Sequence, residues 1–140
     1  MKIFWDTSAA INALISPSAY ARLQSGDHFA RVHLLFEFFS IITGRGIAVT
    51  DQNGNPARLV LSTDDATAWL EQFAAKVRFV ELNFREVLDA LGEARKVGVA
   101  GGRVYDYGHA LAADKENAEI ILTRNPKDFE SITKAKIEWP

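Results

Sequence analysis

The sequence has no cysteine among its 140 residues. That excludes disulfides, thiolate zinc sites and cysteine nucleophiles. It also has no apolar run approaching the roughly 20 residues that cross a bilayer. The opening Met1-Lys2-Ile3-Phe4-Trp5-Asp6 is interrupted at once by charge, unlike a signal peptide. A cytoplasmic protein with no membrane partner is therefore expected. Positive charge is not in excess, and the net charge of -2 leaves no global basic footprint for nucleic acid. It does not exclude metal-assisted chemistry on such a polymer. Repeats, linkers and low-complexity segments are lacking too. What remains is 48% hydrophobic and 24% charged, the composition of one globular domain over residues 1–140 with a sizeable core.

Lys2 to Trp5 reads as a short buried strand. Asp6-Thr7-Ser8 follows, then a helical pattern from Ala9 to Ile15 that stops at Ser16-Pro17-Ser18. This is the first half of an α/β unit, in which ligands sit at the carboxyl ends of strands. Asp6 stands at such an end, and it reads equally well as a helix cap. Ala19 to Thr43 is expected to be largely helical, weakened at Ser25-Gly26 and better formed from Asp27 onward. Glu37 interrupts its broad apolar face, between Phe36 and Phe38. It is either an exposed helix edge or an acid that needs a partner.

Ile47–Thr50 and Arg58–Leu61 flank Asn53-Gly54, the signature of a small hairpin. A helix capped by Ser62 or Thr63 follows, with Asp64 and Asp65 in its first turn as capping charges. Phe79 to Leu82 is a strand, Asn83 caps a helix over Phe84 to Lys96, and Gly98 stops it. Val104 to Ala113 is a helix rich in small residues, which lets it lie close to its neighbours. Asp106 and His109 share a face of it, three residues apart. Glu119 to Thr123 is a third buried strand, Arg124 to Phe129 a turn into a short helix, and Ile137 and Trp139 mark a last strand.

Strands alternating with helices predict a mainly parallel sheet. Its carboxyl edge gathers Asp6, Asn125 and Asp128, with Asp106 and Glu37 on adjoining helices. Carboxylates in one pocket repel each other unless a hard cation neutralises them. Mg²⁺ or Mn²⁺ suits an all-oxygen set. The residues alone thus point to a metal-dependent phosphoryl-transfer or hydrolase site.

Four segments add a resemblance: Asp6-Thr7-Ser8-Ala9, Glu37, Gly101-Gly102-Arg103-Val104-Tyr105-Asp106, and Ile121 to Phe129. In this order and spacing, over essentially the whole chain, the sequence resembles a PIN-domain ribonuclease of the VapC-type toxin group. The resemblance implies a three-layer α/β/α fold with a central, mainly parallel sheet. It also implies cleavage of single-stranded or loop RNA with Mg²⁺ or Mn²⁺, and carries catalytic and metal-binding roles onto Asp6, Glu37 and Asp106. Many relatives have an acid directly after the Thr-Arg pair, where this chain has Asn125. Either Asp128 supplies the missing carboxylate or Asn125 acts as a neutral ligand. Thr7, Ser8 and Thr123 are candidates to orient a carboxylate or a water. A homodimer and a cognate antitoxin protein are implied as well.

Other classes fit less well. A haloacid-dehalogenase-type phosphatase wants a second acid two residues after the first, where this chain has Ser8. A receiver-type phosphoacceptor wants paired acids and a late lysine, and Lys127 is poorly placed. A catalytically inactive PIN-like binding module for RNA or protein stays open because of Asn125. His109 is expected to orient or to support, Tyr105 and Tyr107 to pack or to stack on bases, and Arg103 and Arg124 to be solvated or to meet phosphate. Asp114 reads as a surface charge.

Overall fold

Strand β1 (Lys2–Trp5) sets the architecture through its alternation. In the computed structural model, which describes residues 1–140, Ile3 and Trp5 enter one apolar core while Phe4 enters another. β1 pairs in parallel with β2 (Asp27–Arg31) and β6 (Ile120–Leu122). Outside them lie β5 (Arg78–Val80) against β2 and β7 (Lys136–Glu138) against β6, also parallel. The order is β5-β2-β1-β6-β7, and every neighbour alternates in step with β1. Ala30, Ile120 and Leu122 join the first core; Phe29 and Ile121 join the second.

Each core is closed by its own helices, giving the three-layer α/β/α fold. Over the first lie α1 (Thr7–Ile15), α2 (Pro17–Ala21), α3 (His33–Thr43) and α4 (Thr63–Ala74). Phe38, Trp69 and Phe73 stack in sequence there, and Phe73 meets Trp5 edge-on. Over the second lie α6 (Val104–Lys115) and α5 (Phe84–Glu93). Ala110, Ala112 and Ala113 of α6 are buried against the sheet, as small residues on a closely packed helix should be. Gly108 adds room: a Cβ there would collide with the Arg31 guanidinium, which crosses α6 to reach Glu81. No helix is long and apolar enough to cross a membrane.

The structure corrects several boundaries. Asp27–Arg31, expected to be helical, is the central strand β2. Its His28, Phe29 and Ala30 are all buried between β1 and β5, and a strand covered on both faces shows no period-two pattern. β5 begins one residue before the expected Phe79, and β7 ends at Glu138 with Trp139 outside it. The helix expected after Phe129 is absent; only a 3₁₀ turn, Pro126–Asp128, precedes that residue. Asp114 is more than a surface charge: its Oδ1 accepts from the Thr133 hydroxyl and the Lys134 amide, pinning the approach to β7.

The hairpin forms as a separate antiparallel pair, β3 (Ile47–Thr50) and β4 (Pro56–Leu59). Its loop is longer than an Asn-Gly turn, and Asp51 Oδ1 holds it by accepting from the Asn53 and Asn55 amides. The base of the hairpin is tied to α3. Gly46 N donates to Ile41 O at 2.8 Å and Leu61 N to Ile42 O at 2.9 Å. Gly46 sits at φ +68°, and a Cβ there would run into the Leu59 carbonyl. Gly46→Ala should therefore cost about 1–3 kcal/mol in urea unfolding. A variant as stable as the parent would show that the hairpin is not held at this point.

Candidate active site

The connections switch faces between β1 and β6, which run parallel. The connection after β1 runs into α1 on one face, while the connection after β6 turns toward Phe129 and Ile132 on the other. The crevice left at such a switch point is where open α/β sheets bind ligands. Asp6 and Thr123 are the first residues beyond the paired Trp5 and Leu122, so they emerge side by side into it.

Asp6 is buried and occupies the N-cap position of α1, yet its side chain does not cap the helix. Its backbone carbonyl accepts from the Ala9 and Ala10 amides instead. The carboxylate is left to Oδ2, which accepts from the Ser8 and Thr123 hydroxyls, both at 2.8 Å. Those hydroxyls are held in turn: Arg124 N donates to Ser8 Oγ and Asn125 N to Thr123 Oγ1. Every link of the network lies at the end of β1 or β6. Oδ1 accepts no hydrogen bond, and His109 Nε2 lies 3.9 Å from it.

Glu37 comes from α3 and is not a free helix edge. Its Oε1 accepts from His109 Nε2 at 2.8 Å and Thr7 Oγ1 at 3.1 Å, with His33 Nε2 one helical turn back at 3.5 Å. Burial pushes its carboxyl up, but the hydrogen bond and charge of His109, then His33 and Thr7, hold it below the usual glutamate range. His109 thus serves Glu37 and Asp6 and makes no hydrogen bond with Asp106, its neighbour on α6. Its ring is buried, edge-on to Phe4, with Nδ1 unpartnered. His33, which no spacing in the sequence singled out, stacks on Tyr105 with the rings 5.7 Å apart. Tyr107 is a packing residue, buried with its hydroxyl donating to Ala90 O.

Asp106 is the half-buried acid of α6. Burial pushes its carboxyl up to about 6, aided by the negative charges of Asp6, Asp128 and Glu37 and opposed by His109. That is the behaviour of a carboxylate both buried and flanked by other acids. Asp6, Glu37, Asp106 and Asn125 all line one cleft of about 630 Å³. Asp128 does not line it and is exposed, acting on Asp106 through charge. No three acidic or imidazole groups converge on a single point. The donors are oxygens throughout, which is the chemistry a hard divalent cation selects.

Known structures share this architecture. Similar in fold is a chain of VapBC2 from Rickettsia felis bound to a DNA fragment from their promoter. Its TM-score is 0.67 at 17% identity over 99% of this chain and 98% of that chain. VapBC-1 from nontypeable Haemophilus influenzae gives 0.65 at 16% identity, with coverage of 99% and 98%. The sequence matches no protein-family model and no curated protein.

Crowding at Asp106 has a measurable sign. The folded chain binds the Asp106 proton more tightly than the unfolded chain, whose aspartates titrate near 3.9. Asp106 therefore subtracts from stability as pH rises through that value toward about 6, and the whole penalty is present at neutral pH. In EDTA at pH 7.5, Asp106→Asn should melt above the parent, and the gap should close below about pH 4. An unchanged gap across that range would mean that burial and the neighbouring acids do not raise the Asp106 carboxyl.

Proposed function

We propose that this chain is a divalent-metal-dependent endoribonuclease, the toxin of a toxin–antitoxin pair. The observation that carries the reading is Asp106, pushed up to about 6 by burial and by Asp6, Asp128 and Glu37 in a cleft at the sheet's switch point. Its support outside the chain is the whole-length likeness in fold to VapBC structures. Partners in this reading are RNA as substrate, a cognate antitoxin protein and a second copy of the chain. A surface for a protein partner is available on α5, which buries none of its residues and exposes Phe84, Leu88 and Leu91.

Asp6, Glu37 and Asp106 would hold Mg²⁺ or Mn²⁺, each from a different element. A bound ion would lower the pKa of a water and offer positive charge to the phosphodiester. The chain's own residues prepare the ligands. Ser8 and Thr123 occupy Asp6 Oδ2, which leaves Oδ1 toward the cleft. His109 and Thr7 fix Glu37, so that little side-chain freedom is lost on binding. Hydroxyl and imidazole orienters of this kind typically alter metal affinity 10–100-fold.

Mg²⁺- or Mn²⁺-dependent cleavage of a mixed RNA pool tests the activity. Wild type should cut, and Asp6→Asn should lose about 100-fold or more. Equal cutting by both would sink the metal site. Equal failure of both, with partner binding intact, would favour a catalytically inactive PIN-like binding module.

The fourth position separates by salt. Asn125 lines the cleft and can contact an ion, whereas Asp128 acts at a distance. In Mn²⁺ titrations Asp128→Asn should weaken binding at low salt and cease to matter near 0.5 M, where exposed charges are screened. The weakening by Asn125→Ala should persist. A salt-resistant effect at Asp128 would instead make that carboxylate a direct ligand.

A further inference from the structure

The cleft has a basic side that the acids do not use. Arg45, Arg58 and Arg124 line it together with Asp6, Glu37 and Asp106, yet none of these arginines forms a salt bridge with any carboxylate. Arg45 lies in the turn that leads from α3 into β3, and Arg58 lies on β4 of the hairpin, which two backbone hydrogen bonds fasten to the end of α3. Arg58 Nη1 donates to the Arg45 and Gly46 carbonyls at 2.7 and 3.2 Å, which anchors its guanidinium at the hairpin base. The Arg45 side chain is exposed and has no hydrogen-bond acceptor within the chain.

Across the opening, the Arg124 guanidinium lies 5.4 Å over the ring of Trp139. Trp139 also lines the cleft and is 57% exposed, so one face of the indole is backed by a cation and much of the ring is open. A large aromatic left open at the rim of a polar cleft, next to unpaired arginines, matches the recognition of unpaired nucleotides. Bases stack on the ring and phosphates meet the guanidinium groups. A base held in a duplex cannot offer its face.

We propose that Trp139 and the β3–β4 hairpin form a two-sided nucleotide clamp. Trp139, backed by Arg124, takes one unstacked base, while Arg45 and Arg58 take a neighbouring phosphate. The clamp admits single strands and sets their register against Asp6 and Asp106. It rests on the nuclease reading for its purpose, but its chemistry is independent of the metal.

Binding without turnover tests it. In an Asp106→Asn background with EDTA, a labelled eight-nucleotide RNA should bind more tightly than the same sequence as a duplex. Trp139→Ala should weaken single-strand binding about tenfold, and Trp139→Phe should restore most of it. Arg45→Ala should flatten the log–log salt dependence by about one, and Arg45→Lys should keep it. The conservative pair serves where an alanine variant melts early. Unchanged affinity in both alanine variants, tighter binding of the duplex, or binding of an acidic peptide in place of RNA would each overturn the clamp. The two readings fail separately: cutting by the wild type without these effects removes only the clamp, whereas clamp-dependent binding by a wild type that never cuts removes only the nuclease.

Discussion

A carboxylate buried at the end of the central strand is the constraint around which the cleft is arranged. Burying Asp6 without partners would cost several kcal/mol. The parallel register of β1 with β6 supplies them, because it delivers Thr123 beside Asp6 while the turn into α1 delivers Ser8. Both hydroxyls address one oxygen. Stabilising Asp6 therefore uses only half of its acceptor capacity, and the other oxygen remains for chemistry. The strand pairing that builds the core and the orientation of the first acid are thus a single event.

Glu37 and Asp106 meet opposite environments a short distance away. Glu37 has two histidines and a threonine on one oxygen and stays below the usual range, whereas Asp106 has crowding acids and rises to about 6. Groups whose surroundings drive their proton affinities apart mark functional clefts more often than structural ion networks. Burial raises Asp106, whereas Glu37 stays low in spite of its burial because of its partners. A cation brought to Asp6 and Asp106 would relieve the repulsion, while Glu37 is already prepared by His109.

Much of this was legible in the chain. The apolar run of Lys2 to Trp5, the helix that starts after Ser62 and the cap at Asn83 all act locally, and their elements appear in the structure. β2 was not legible, since a strand buried on both faces and flanked by helical spacing carries no periodic mark. The pairing of His109 with Glu37 spans 72 positions, and nothing local in either segment encodes it. The same holds for the basic wall. Arg45 and Arg58 are ordinary surface residues in sequence, and only the anchoring of the hairpin to α3 brings them opposite the acids.

That separation of charge is itself informative. Arginines free to move toward Asp6 or Asp106 would quench both sets and leave a neutral pocket. Arg58 is held away from the acids by its hydrogen bonds to the Arg45 and Gly46 carbonyls at the base of the hairpin. Trp139 does the same for Arg124, holding its guanidinium over a ring and out of reach of the acids. One cleft therefore offers two unsatisfied surfaces, oxygen ligands suited to a cation and guanidinium groups suited to a phosphate. A phosphodiester bound together with a divalent cation would satisfy both at once.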